Sequence, residues 1–224
     1  MTTINCYIKT LAPVHLGCDE VYDPLTFAVD DEKKRLVVFD TAAFLSQLDR
    51  RKIESFTDLC RRGTPSSILE IYKFFSREKP TGREIAISES FVKHYKNTLR
   101  ISDNDVRRVQ QELNGFVIER TAFLPTTDRP YIPGSAVKGA LRTAYLNLLM
   151  KEKDAAAVRT DNGRKLEESL LEGSFATDPL RLLKVSDFMP VGEVRTKIVY
   201  AVNEKKRLSQ FGARRPYQIL EVIE

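Results

Sequence analysis

An α+β fold, with a modified RRM-like (ferredoxin-like) antiparallel sheet and a helical insertion, is what three features of this sequence predict. Short runs rich in β-branched and aromatic residues occur near both ends and in the middle of the chain. Helical periodicity dominates from about residue 50 to 114. The order strand, helix, strand, helix, with hairpins between, matches a split βαβ arrangement. The 224 residues are 42% hydrophobic, which suffices for a packed core and suits a single domain over residues 1–224.

The elements follow from local patterns. Residues 4–11 alternate Ile4, Cys6 and Ile8 with Asn5, Tyr7 and Lys9, the period of a strand with one buried face. Ala12-Pro13 ends it. Residues 26–30 and 35–39 form a hairpin about the charged turn Asp31–Lys34, and Asp40 or Thr41 caps a helix carrying Phe44, Leu45 and Leu48. Gly63 stops one helical segment; Pro65 suits the first turn of the next, where Ile68, Ile71, Tyr72 and Phe75 recur at helical spacing. Ile85 and Ile87 mark a short strand inside this helical region. Ser102 with Asp105 resembles a capping box for residues 103–113.

Residues 116–124 read as a strand, and the proline-rich loop after it leads into a helix over 136–150. A helix over 164–172 and β-like runs at 181–188, 194–202 and 217–223 follow. The chain stops inside the last of these, as a truncated member of a longer family would.

Composition narrows the function classes. The charged fraction is 30% and the net charge +5, which suits an anionic partner or ordinary solubilising charge. Cys6, Cys18 and Cys60, with His15 and His94, lack zinc-ligand spacing, so no metal or cofactor is expected. Unpaired cysteines and the lack of an export signal or a long apolar run suit a cytoplasmic protein away from membranes.

The segment Tyr131 to Arg142 carries the most chemistry. Pro133 and Gly134 shape a tight entry, Ser135 caps the helix, and Val137, Ala140, Leu141, Ala144 and Leu148 form its apolar stripe. Lys138 and Arg142 share a face near the positive end of the helix dipole, where cations are disfavoured. Gly139 adds a cost of ~1 kcal/mol relative to alanine. An anion seated against the helix start, between two cations and over a glycine, would offset these costs, and a phosphodiester suits. The alternative is that Gly139 permits close helix–sheet packing while both cations are merely solvated.

Between Arg195 and Arg215 lie seven basic residues, Arg195, Lys197, Lys205, Lys206, Arg207, Arg214 and Arg215, against Glu204 alone. Tyr200, Phe211 and Tyr217 interleave with them, a mixture suited to single-stranded RNA. A solvated face is the other reading. His15, near Asp19, Glu20 and Asp23, is a candidate acid–base group for RNA cleavage, although a structural histidine accounts for it more simply.

The run T-L-A-P-V-H-L-G, the F-D before a helix near residue 39, Y-I-P-G-S-A-V-K-G-A-L-R-T and L-L-K-V-S-D-F (182–188) resemble the RAMP superfamily of CRISPR-associated proteins. Within it the chain is most similar to the type III-A (Csm complex) subunit that caps the effector near the 3′ end of the guide RNA. The resemblance implies an RRM-like fold, binding of guide RNA (crRNA), and contacts with other subunits of the type III-A effector complex. It implies a role in crRNA maturation and assembly, in antiviral defence, and not catalysis. Ser135, Lys138 and Arg142 would then line the guide backbone, and His15 to Asp19 would lie in the loop after the first strand. The glycine-rich loop usual near the C-terminus of such proteins does not occur. A RAMP-type endoribonuclease, using Asp19 or Asp23 with a metal or His15 without one, is the competing expectation.

Overall fold

The computed structural model describes residues 2–152, 162–174, 176–202 and 217–224. They divide into two units, Thr10–Thr121 with Glu193–Glu224, and Met1–Lys9 with Ala122–Gly192.

The first unit is built on a seven-stranded sheet. Its strands are β1 (Gly17–Val21), β2 (Phe27–Asp30), β3 (Arg35–Val38), β4 (Arg83–Ile87), β5 (Ile118–Thr121), β8 (Thr196–Val202) and β9 (Tyr217–Ile223), in the order β1-β5-β9-β8-β4-β3-β2. The α+β class holds, but the sheet is mixed and not antiparallel throughout. β8 and β9 pair antiparallel over their full length, while β4 runs parallel to β8 and β5 parallel to β9. Parallel neighbours need long connections. The two helices between β4 and β5 lie on the β4-to-β8 connection, and the Ile85/Ile87 strand lies inside the sheet between β8 and β3.

Local chemistry accounts for most of these elements. The Asp31–Lys34 turn joins β2 to β3 in the expected register, Phe27 opposite Val38 and Asp30 opposite Arg35. Asp40 caps α1 (Thr41–Leu45) by accepting from the Ala43 N–H at 2.6 Å. Asp49 caps α2 (Arg50–Arg62). Thr64 and Ser67 form a reciprocal capping box at α3 (Pro65–Glu78), whose proline sits in the first turn. Ser88 caps α4 (Glu89–Leu99), and Asp105, rather than Ser102, caps α5 (Val106–Gly115) through the Arg108 N–H at 3.2 Å.

Alternation along β2 sends Phe27 and Val29 into one apolar cluster and Ala28 into another. The first joins Leu36, Ile85, Ile118, Ile198 and Ile219 of the sheet to Tyr72, Phe91 and Tyr95 of α3 and α4. The second gathers Phe39, Phe56, Phe74 and Phe75. Phe75 is fully buried, with ring centroids 4.9 Å from Phe39 and 5.5 Å from Phe56. Each such side chain contributes roughly 1.5–3 kcal/mol through burial.

One acid lies inside this unit. Glu221 of β9 is 2% exposed; Arg83 Nη1 lies 3.5 Å from its carboxylate, and the Thr121 N–H donates to it at 3.3 Å. Arg83 also donates to the Tyr22 hydroxyl at 2.9 Å.

The second unit holds the hairpin β6 (Phe123–Leu124) and β7 (Arg129–Pro130), the helices α6 (Gly134–Glu152) and α7 (Gly163–Leu170), and a 3-10 turn at Pro179–Leu182. Two expected strands are absent. Residues 4–11 form no strand and pair with no described strand, and Ile4, Tyr7 and Leu11 are exposed. Alternation supplies one sticky face, yet a strand also needs a neighbour for its ladder. The first strand is therefore β1, and Asp19 lies within it rather than in a loop. Residues 181–188 begin in the 3-10 turn and end in an isolated bridge between Phe188 and Ile132, because Pro179 favours a turn and removes a ladder donor.

Candidate nucleic-acid interface

The start of α6 is fixed by backbone packing. Gly134 lies against residues 185–186, so that a Cβ there would fall 2.2 Å from the Val185 carbonyl oxygen. Only glycine permits that approach. Its N–H donates to Asp187 Oδ1 at 2.8 Å. Residues 136 and 137 donate to the Pro133 carbonyl, so the helix begins two residues earlier than expected and Ser135 is an exposed first-turn residue, not the cap.

The acidic group at the helix start is thus the protein's own. The same holds for Arg142, which forms ion pairs with Asp178 and, at 2.9 Å, with Glu167 of α7. Asp178 has an 8% exposed side chain. Burial opposes its ionisation, but hydrogen bonds from Arg142 and the Leu180 N–H, with the charges of Arg142 and Lys138, hold its carboxyl below the usual range. The offsetting anions inferred from the sequence are therefore supplied in large part by Asp187, Asp178 and Glu167. Sequence reasoning missed all three. Asp187 sat in a run read as a strand, and the partners of Arg142 lie 25 and 36 residues away.

Lys138 and Gly139 remain. Lys138 makes no ion pair among the described residues. Gly139 is exposed, and a Cβ on it would meet no atom within 4 Å. Among the described residues, nothing packs closely on Gly139. The expected apolar stripe of α6 is also open, with Leu141 and Leu148 49% and 52% exposed; Gly134 is the buried residue of this helix.

In the sheet unit, Arg195 is exposed, and Lys197 pairs with Glu224 at 3.4 Å. Lys205, Lys206, Arg207, Arg214 and Arg215 lie outside the described residues, as does Phe211. His15 donates Nδ1–H to the Glu221 carbonyl at 2.7 Å, which ties its ring to β9. Asp19 is exposed at a left-handed position (φ 58°) where the β1–β5 register shifts. Asp23 accepts from the Leu25 N–H at 2.7 Å and from Thr26 in a turn. Among the described residues, no three acidic, cysteine or histidine side chains converge as a metal site, and no helix is long and apolar enough to cross a membrane.

The family model of the RAMP superfamily matches residues 7–219. The CRISPR system Cms protein Csm5 of Methanocaldococcus jannaschii is 26% identical over 198 residues, covering 83% of this chain and 42% of that protein. Its counterpart from Streptococcus thermophilus is 28% identical over 209 residues, covering 88% of this chain and 54% of that protein. The chain thus spans about half the length of the curated relatives it matches. Two solved structures share the fold. The crystal structure of T.onnurineus Csm5 aligns with a TM-score of 0.56 at 19% identity, over 96% of this chain and 64% of that one. A chain of the cryo-EM Csm–crRNA–target RNA ternary complex of a type III-A CRISPR-Cas system aligns at 0.53 and 21%, over 96% and 59%.

Proposed function

The chain belongs to the RAMP superfamily, and we propose that it is a guide-RNA-binding subunit of a type III-A CRISPR effector complex, serving assembly and crRNA maturation and not cleavage. Similarity to the two Csm5 proteins supports the choice of complex. The observation that carries RNA binding is the partly exposed Lys138 beside the exposed Gly139, a cation without an ion pair among the described residues next to open backbone at the start of α6. An RNA strand crossing there would meet the Lys138 ammonium, the Ser135 hydroxyl and a helix position bare of side chain at Gly139. Arg142, held by two carboxylates, orients α6 against α7 and contributes to phosphate binding less than Lys138. Arg195 and the basic residues at 205–207 and 214–215 are further candidate phosphate partners, with Lys197 shared with Glu224. Contacts to the backbone imply weak base preference.

A nuclease role is the alternative. His15 holds a backbone carbonyl, and Asp23 shapes a turn; both arrangements suit structure better than acid–base chemistry. End-labelled guide RNA incubated with the chain, with and without Mg²⁺, separates the readings. Protection without new ends supports binding. Mg²⁺-dependent cleavage lost in Asp19→Ala, or metal-independent cleavage lost in His15→Ala, would establish the nuclease instead.

A further inference from the structure

The charges at the start of α6 alternate in sign. Arg142, one turn after Lys138 and on the same helix face, divides its guanidinium between two carboxylates. One belongs to Asp178. The other belongs to Glu167 of α7, whose Oε2 accepts from Nη2 at 2.9 Å. All four residues lie in the same unit. The two acids are not equivalent. The Asp178 side chain is 8% exposed and also accepts the Leu180 N–H at 2.9 Å, so it is enclosed and engaged at both oxygens. The Glu167 side chain is 44% exposed, and among the described residues only its Oε2 takes a hydrogen bond. A carboxylate offers about four lone-pair sites, so Glu167 keeps acceptor capacity toward solvent. Arg142 fixes where that acceptor stands. Lys138 is near enough for its charge to help hold the Asp178 carboxyl ionised, so the cation and the acceptor belong to one patch.

We propose that Glu167 accepts a hydrogen bond from a ribose 2′-hydroxyl of the strand whose phosphate Lys138 neutralises, which makes the start of α6 selective for RNA over DNA. The inference rests on the RNA-binding reading above and adds the residue that selects the sugar. A bare anion gains from Lys138 but is repelled by Glu167 and Asp178. A ligand that carries an anion and a hydroxyl donor close together gains from both signs of charge, and every RNA nucleotide carries that pair. DNA keeps the phosphate and lacks the hydroxyl. Gly139, between Lys138 and Arg142 in sequence, leaves the helix surface bare where the strand would lie. A hydrogen bond to an ionised acceptor is stronger than one between neutral groups, but water competes for Glu167, so the preference is modest. Arg142 acts through Glu167 and is a positioning residue.

The test titrates the full 224-residue chain with three short oligouridylates of equal length. They are the RNA, its 2′-fluoro counterpart, which keeps the sugar pucker but cannot donate, and the deoxy strand. The wild type is expected to bind the RNA roughly three- to tenfold more tightly than either analogue. Glu167→Ala should abolish that preference by weakening the RNA alone, with the analogues bound as well as before or better. Glu167→Gln keeps an acceptor oxygen and should retain part of the preference, and it carries the test if the alanine variant does not fold. Lys138→Ala should weaken all three ligands alike. Equal binding of the RNA and its 2′-fluoro counterpart by the wild type, or a preference unchanged in either Glu167 variant, would overturn the inference while leaving RNA binding intact. If none of the three binds, the RNA-binding reading falls and this inference falls with it.

Discussion

In the sheet-bearing unit, apolar pattern and burial agree. β2 alternates Phe27 and Val29 with Ala28 between two clusters, and α3 buries Ile71, Tyr72, Phe74 and Phe75. α6 behaves differently. It carries an equally regular apolar stripe, yet Leu141, Tyr145 and Leu148 are exposed, and its position in its own unit depends on a backbone contact at Gly134 and on the ion pairs of Arg142. The difference separates two kinds of sequence constraint. The sheet is held by shape and area, which many apolar residues satisfy. The start of α6 is held by a glycine, a proline turn and specific carboxylates, which few substitutions satisfy, and that is why the most distinctive motif of the chain is found there.

The sharpest way to break the comparison is to damage each region by its own means. Phe75→Ala removes a ring buried among four others and is expected to cost about 3–5 kcal/mol in urea unfolding of the sheet unit. A loss under 1 kcal/mol would show that the cluster is loosely packed. Gly134→Ala forces a methyl group against residues 185–186; we expect a cost of about 1–3 kcal/mol and faster amide exchange along α6, with β8 and β9 unchanged.

The ion pairs give the next smaller effect. Asp178→Asn should destabilise the α6–α7 pairing by on the order of 1 kcal/mol, since the partner arginine is partly solvated. The pH dependence has a definite sign. The carboxyl of Asp178 is depressed in the folded chain, so its contribution is complete above the unfolded value of about 3.9 and is lost as the pH falls through the lower folded value. Acid titration followed by amide exchange in α7 should show this loss in the wild type and not in Asp178→Asn.

Gly139→Ala gives the smallest change and sharpens the comparison most. With space for the methyl group, it should stabilise α6 by up to ~1 kcal/mol. If RNA passes over that backbone, the same variant binds RNA several-fold more weakly, an opposition that no packing role of Gly139 would produce.

Most elements were legible because their signals are local. The Asp31–Lys34 turn, the Asp40 cap and Pro65 each act within a few residues, and each element they mark exists. The mixed pairing of the sheet was not legible. That β4 lies beside β8, and β5 beside β9, is decided by partners about a hundred residues apart, and nothing in Arg83–Ile87 names them. The 4–11 run shows the same limit from the other side, since correct alternation found no described ladder to join. At the candidate site, the sequence pointed to Gly134, Lys138, Gly139 and Arg142 as a unit. The structure divides them. Gly134 serves backbone packing and Arg142 serves Asp178 and Glu167, and those two acids carry no local mark of their role.

The most direct test of the account is the salt dependence of single-stranded RNA binding by the full chain, wild type against Lys138→Ala. Release of counterions should give the wild type a steep fall of log affinity with log salt concentration. Loss of Lys138 should make the slope shallower by about one unit. A wild-type slope near zero, or a Lys138→Ala slope equal to that of the wild type, would contradict the claim that α6 presents its open start to an RNA backbone.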